Sequence, residues 1–156
     1  MLEYSIIDKS IGKDNVVEIL TQYDSYFIPK ISERNNLIEY AEKLASNATF
    51  IIAKKFNNIA GFAAFYFNQA PKSSYLTLIA VNKDFQGLGI GKSLINELIL
   101  FCRTKNSTGI MLEMRANDSK LLNFYTKLGF EITEKFKSPF NEEVKYYMNL
   151  RISKNE

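Results

Sequence analysis

The residues best placed to do chemistry are Gln86-Gly87-Leu88-Gly89-Ile90-Gly91-Lys92-Ser93, between a β-branched run, Tyr75 to Val81, and a helix-period run, Ile90 to Thr104. A strand feeding a glycine-rich turn that opens a helix can hold phosphate. Glycines let the backbone come close to an anion, and the first helical turn presents amide N–H groups that lack intrahelical partners and carry partial positive charge. Spacing separates the kinds of cradle. A Walker A loop needs Gly, four residues, then Gly-Lys-Ser/Thr; Gly91-Lys92-Ser93 fit its end, but the first glycine falls on Gln86. The dinucleotide fingerprint needs a third glycine where this chain has Lys92 or Leu94. The spacing that fits is Gln/Arg-x-x-Gly-x-Gly/Ala, carried by Gln86, Gly89 and Gly91. The bland alternative is that the glycines only make a tight strand-to-helix turn.

Other chemistries are narrowed by what the composition lacks. The chain has no histidine and one cysteine, Cys102, which removes Ser-His and Cys-His nucleophilic pairs, an intrachain disulfide and a cysteine-based zinc site. No metal is expected. Cys102 falls on the apolar side of its predicted helix and reads as a core residue. A net charge of +3 without a run of five like charges gives no polybasic surface, so neither nucleic acid nor membrane is expected as a partner. The apolar runs stop well short of the roughly 20 residues that span a bilayer. Met1-Leu2-Glu3-Tyr4-Ser5 lacks the charged and apolar regions of a secretory signal, so the expected location is the cytoplasm.

The elements that must position the loop follow from periodicity. Tyr4 to Asp8 reads as a first strand, Asn15 to Gln22 as a helix, Tyr23 to Asn35 as an irregular segment with Tyr26, Phe27 and Pro29, and Asn36 to Ser46 as a second helix. The aromatic-bearing segment is either a lid over a pocket or part of the core. Phe50 to Lys54 and Ile59 to Phe67 form a predicted hairpin about Phe56-Asn57-Asn58, where asparagine tolerates the positive φ of a tight turn. A polar loop, Asn68 to Ser74, precedes the strand Tyr75 to Val81. The helix from Gly89 to about Thr104 carries an apolar stripe of Ile90, Leu94, Ile95, Leu98, Phe101 and Cys102. Because a crossover helix precedes it, the strand Ile110 to Met114 should run parallel to Tyr75 to Val81. Asp118 or Ser119 caps a helix that Gly129 ends, and Phe130 to Phe136 with Val144 to Ile152 form a last pair of strands. With no repeat, low-complexity tract or linker, residues 1–156 read as a single domain of ordinary size and composition.

The Gln86-Gly89-Gly91 spacing resembles the acyl-CoA pyrophosphate loop of the GNAT superfamily of N-acetyltransferases. Asp118-Ser119-Lys120-Leu121-Leu122-Asn123-Phe124-Tyr125-Thr126-Lys127-Leu128-Gly129-Phe130 is similar to the family's second signature, Asn-x-x-Ala-hydrophobic-x-hydrophobic-Tyr-x-x-x-Gly-Phe, with Tyr125, Gly129 and Phe130 aligned. It departs from that signature at Asp118, where asparagine is expected, and at Leu121, where alanine is expected. The order of predicted elements matches the family plan across nearly the whole chain. The implied fold is α+β: a central, mostly antiparallel mixed sheet with a splayed parallel pair, flanked by about four helices.

The resemblance implies acetyl-CoA as co-substrate and an amine as acceptor. Its pantetheine would pair with backbone groups of Ile79 and Val81. Its pyrophosphate would rest on Gln86, Gly87, Leu88, Gly89, Ile90, Gly91, Lys92 and Ser93, with Asp118 capping its helix or meeting the pantetheine arm. The Val81 amide would stabilise the tetrahedral oxyanion, and Tyr125 would hydrogen-bond the departing sulfur as general acid. Glu113, the one charged side chain within Ile110 to Met114, is the candidate acceptor of the amine proton; Tyr66, Tyr75 and the pair Glu142-Glu143 are alternatives. The expected activity is acetyl transfer to a primary amine of a small molecule, with an amino sugar as one guess. Acetylation of a protein amino terminus or lysine, or a non-catalytic acyl-CoA-binding module, are the competing readings. The resemblance leaves a homodimer open as the assembly.

Overall fold

The computed structural model describes residues 2–153. In chain order its elements are β1 (Leu2–Asp8), α1 (Lys13–Tyr23), a 3-10 turn (Asp24–Tyr26), α2 (Ile31–Arg34), α3 (Leu37–Asn47), β2 (Thr49–Lys55), β3 (Asn58–Gln69), β4 (Lys72–Val81), a second 3-10 turn (Lys83–Phe85), α4 (Ile90–Thr104), β5 (Gly109–Arg115), α5 (Ser119–Lys127), β6 (Glu131–Lys137) and β7 (Val144–Arg151). The strands hydrogen-bond in the order β1-β2-β3-β4-β5-β7-β6. The pairs β1-β2, β2-β3, β5-β7 and β6-β7 are antiparallel, and β4-β5 is parallel. This is the expected mixed α+β sheet. No helix among the described residues is long and apolar enough to cross a membrane.

Residues up to Tyr66 together with Leu78–Glu97 form one compact unit. Its core is made where α1 and α3 lay Val16, Ile19, Leu20, Tyr23, Ala41 and Leu44 against Phe50, Ile52, Phe62 and Ala64 of β2 and β3. Residues Thr49–Ala53 of β2 are buried without interruption, as suits an inner strand covered on both faces. Gly61 serves close packing: a Cβ there would sit 2.9 Å from the Ala80 carbonyl oxygen and 3.2 Å from Ile90 Cγ2. Since backbone cannot yield as a side-chain tip does, Gly61→Ala is expected to cost about 1–3 kcal/mol, read from the midpoint of urea unfolding.

Phe67–Thr77 and the chain from Leu98 onward form a second compact unit. The parallel pair is in register at Ser74↔Ile110 and Tyr75↔Met111. β5 alternates, burying Ile110, Leu112 and Met114 and exposing Met111 and Glu113. Cys102 is buried, with its Sγ 3.1 Å from Ser74 Oγ, and burial pushes the thiol's pKa up. It is a core residue, as its place on the stripe predicts.

Four sequence expectations need correction. The segment after α1 is not wholly irregular: it holds the one-turn helix α2, because a single turn is too short to display a helical period. Asp24 fastens it, accepting from Ser32 N at 2.8 Å and Ser32 Oγ at 2.6 Å, and these bonds hold the carboxyl below its ordinary pKa. The left-handed residue of the β2-β3 turn is Phe56, φ 59, rather than an asparagine. Its ring is 82% exposed, so no packing requirement opposed the conformation. The loop expected over Asn68 to Ser74 is only the two-residue turn Ala70-Pro71 between long strands, a length that joins antiparallel neighbours. Lastly, β4 does not run directly into the glycine turn, because the 3-10 turn Lys83–Phe85 intervenes.

Candidate active site

The glycine turn lies in the first unit. Gly87 and Gly89 have φ of 83° and 76°, the left-handed region that glycine enters without cost. The first intrahelical bond of α4 is donated by Ser93 N to the Gly89 carbonyl, 3.0 Å. The amides of Ile90, Gly91 and Lys92 therefore precede the hydrogen-bond ladder and carry the positive end of the helix dipole. The sequence pattern thus produces a set of free donors at the start of a 15-residue helix. Lys92 is exposed and Ser93 half-buried, and Leu88 stands 59% exposed at the tip of the turn. Gln86 turns back, its Nε2 3.4 Å from the Val81 carbonyl oxygen.

Strand alternation orients the amides ahead of the turn. Asn82 N donates to Ala60 O of β3 at 2.8 Å, and successive N–H groups along a strand point to opposite edges. The amides of Ile79 and Val81 therefore point to the edge away from β3, where added backbone could pair with them.

Most of the contacts that steady this approach carry no local sequence signal. Asn82 Oδ1 accepts from Asp84 N at 2.9 Å, and its Nδ2 lies 3.4 Å from Ile59 O. Tyr26 Oη accepts from Lys83 N at 3.1 Å. Tyr23 is fully buried, donates to Ile59 O at 3.2 Å and packs against Tyr26 with tilted rings 4.8 Å apart; burial pushes its pKa up to about 12. Tyr26 and Phe27 pack on the core of this unit, which favours the core reading of the aromatic segment over the lid. Only the Asn82-x-Asp84 asparagine turn has a local signal, since asparagine readily bonds the backbone two residues on. Tyr66, an alternative proton acceptor, is half-buried, and burial together with nearby Tyr40 raises its pKa to about 12.

The other sequence-predicted side chains lie in the second unit. Tyr125, 4% exposed, sits on the inner side of α5 with Phe124 and Phe130 at ring distances of 5.2 and 5.3 Å. Burial, and secondarily the charge of Asp118, push its pKa well above the ordinary phenol value. Its hydroxyl makes no hydrogen bond to another described residue. Gly129, φ 100, closes α5, and Phe130 N bonds back to the Tyr125 carbonyl at 3.1 Å, which fixes the signature's aromatic pair.

Asp118 is the N-cap of α5: its Oδ1 accepts from Leu121 N at 3.0 Å, and its Oδ2 lies 3.6 Å from Arg115 Nη2. Removing that acceptor in Asp118→Ala is expected to cost about 1 kcal/mol, whereas Asp118→Asn keeps a cap and should cost little. Chemical denaturation of the two variants measures the difference. Glu113 stands on the exposed face of β5, with Oε1 2.9 Å from Lys145 Nζ and Oε2 accepting from Tyr75 Oη at 3.3 Å. Glu143, another alternative, lies 3.8 Å from Arg115 Nε.

A strand, a left-handed glycine turn with free helix-start amides, and a tyrosine-glycine-phenylalanine helix end are the two signatures in folded form. The sequence model of the acetyltransferase (GNAT) family matches residues 14–130, which include both. The chain belongs to this family. It is 29% identical over 119 residues to the [ribosomal protein bS18]-alanine N-acetyltransferase of Salmonella typhimurium (strain LT2), covering 74% of this chain and 80% of that protein. A GNAT-family structure from Desulfovibrio desulfuricans superposes with a TM-score of 0.80 over 98% of this chain and 100% of that one, at 18% identity, and shows the shared fold. A Bacillus anthracis structure described as a streptothricin acetyltransferase, solved in complex with acetyl coenzyme A, is 32% identical, with a TM-score of 0.62 over 69% of this chain and 64% of that one. This GNAT protein is accordingly an acetyl-CoA-dependent N-acetyltransferase, an acyltransferase whose acceptor is an amine.

Proposed function

We propose that the enzyme acetylates the primary amine of a small molecule. Support comes from the 32% identity to the streptothricin acetyltransferase, above the 29% shared with the protein-modifying relative. The latter match favours a second reading, acetylation of a protein amino terminus. The same proposal treats residues 1–156 as one catalytic domain working in the cytoplasm.

In this reading the amides of Ile90, Gly91 and Lys92, with the rest of 86–93, hold the pyrophosphate, and the edge-facing amides of Ile79 and Val81 hold the pantetheine. Acetyl-CoA supplies the acyl group and a thiol leaving group. The Val81 N–H stabilises the negative charge that develops on the carbonyl oxygen, a fixed dipole that needs no reorganisation as the charge appears. Tyr125 donates a hydrogen bond to the departing sulfur. A phenol held above its ordinary pKa keeps its proton throughout neutral pH, so it is always available as a donor. Complete transfer to a thiolate with a reference pKa of about 8.5 is uphill, which makes hydrogen-bond donation its main contribution. Glu113 accepts the amine's proton, oriented by Tyr75 and Lys145. Asp118 acts through the α5 cap that sets the helix carrying Tyr125.

The Tyr125 hydroxyl, held by a buried ring and without a hydrogen-bond partner among the described residues, is the observation that carries the mechanism. The acceptor is tested by following thiol release with a panel of amino sugars, polyamines and aminoglycoside-like amines beside a peptide with an N-terminal alanine. Turnover of a small amine at least about tenfold more efficient than of the peptide is the expected result. The reverse order would establish the second reading.

A further inference from the structure

Beside the residues assigned to acetyl transfer, the first unit contains a cavity of about 650 Å³ lined by residues of α1, β2, the β2-β3 turn and the stretch Asn82–Phe85. Its volume lies in the range of small-molecule sites, roughly 300–1,000 Å³. None of its lining residues is among those assigned to the cofactor or the reaction. Its apolar surface includes Ile19, Ile59 and Phe85, while the charged groups that face it are Glu18 from α1, Asp84 from the 3-10 turn and Lys54 from β2. No hydrogen bond or ion pair with another described residue engages the side chain of Glu18, Asp84 or Lys54. Two carboxylates against one ammonium give the opening a negative balance, in a chain whose net charge is +3. The carboxamide of Asn82 is engaged with Asp84 N and Ile59 O, which holds it in the wall of the cavity.

We infer that this cavity binds a small ammonium-bearing molecule, its charged head between Glu18 and Asp84 and a short apolar chain against Ile19, Ile59 and Phe85, separately from the amine that is acetylated. An ammonium donates only and cannot use an acceptor-poor pocket, whereas here two carboxylates without competing partners supply charge-assisted acceptors. A neutral or anionic ligand of the same size forgoes both bonds and, if anionic, meets repulsion.

The probe is n-butylammonium, with butanol and butyrate as matched neutral and anionic controls, titrated into the whole protein without acetyl-CoA. Backbone amide shifts should move at Asn82–Phe85 and along α1, and butanol and butyrate should bind at least about tenfold more weakly. Combining Glu18→Gln with Asp84→Asn removes charge at two exposed positions without changing side-chain shape, and should weaken n-butylammonium binding at least about tenfold. Acetylation of n-butylamine by that variant, read as thiol release, should keep its normal kcat and KM. Equal binding of butanol or butyrate, shifts confined to other residues, or unchanged affinity in the double variant would overturn the inference. So would loss of n-butylamine acetylation with binding, which would make the cavity the acceptor pocket itself. If the double variant does not fold, the shift map and the two control ligands on the unaltered protein decide the matter.

Discussion

Tyr125→Phe is expected to lower turnover about 10²-fold, the low end of the range for a positioned proton donor, while leaving acetyl-CoA affinity within a small factor. The ring is what packs: it meets Phe124 and Phe130 and is almost wholly buried, and phenylalanine preserves those contacts. The hydroxyl makes no hydrogen bond to another described residue, so its removal strands no partner among them and should hardly alter stability. What it would take away is the donor offered to the departing sulfur. A thiolate is already a fair leaving group, hence the low end of the range. Calorimetry gives the affinity and thiol release the rate for the same variant. Unchanged turnover would reduce Tyr125 to a packing residue, while lost affinity with normal turnover at saturation would make it a binding contact.

Gly89→Val should weaken acetyl-CoA binding roughly 10- to 150-fold, the cost of one lost charge-assisted hydrogen bond. The position is open, since a Cβ would meet no other atom within 4 Å, so crowding is not the cause. The cause is φ of 76°, which a β-branched residue resists. Relaxing that strain would turn the amides that follow and disturb the Gly89 carbonyl that accepts from Ser93. Gly12 provides the matched control. It has φ of 83° and equally open surroundings ahead of α1, so Gly12→Val should carry a similar folding penalty, about 1–2 kcal/mol, without weakening cofactor binding. Equal binding by folded Gly89→Val protein would make the glycine a turn residue only.

The parts of the site that could be read from the chain are those whose chemistry is local. Gly89 and Gly91 stand at the opening of α4 because a helix start and a left-handed turn are properties of a few consecutive residues, and Tyr125, Gly129 and Phe130 lie within one helix and its cap. The stripe on α4 buried Ile90, Leu94, Ile95, Leu98 and Cys102 for the same reason. What escaped were contacts made only by the tertiary structure. Tyr26 meets Lys83 across 57 positions and Tyr23 meets Ile59 across 36, and neither residue carries a spacing that announces its partner. Glu113 could be singled out by type, but its engagement with Lys145 and Tyr75 depends on neighbouring strands 32 and 38 positions away. Phe56 shows the converse: a strong local preference for asparagine in a tight turn did not decide which residue took the positive φ.

The assignment of the glycine turn to acyl-CoA is tested most directly by thermal unfolding of the unaltered protein with acetyl-CoA, ATP or NAD at equal concentrations. At about 100 times the dissociation constant, binding to the folded state alone adds about 2.7 kcal/mol, a rise of roughly 5 to 10 °C for a chain of this size. Acetyl-CoA is expected to produce that rise and ATP and NAD to leave the midpoint within about 1 °C. Equal stabilisation by ATP would contradict the account, because it would mean that Gln86 to Ser93 cradles phosphate without selecting the cofactor.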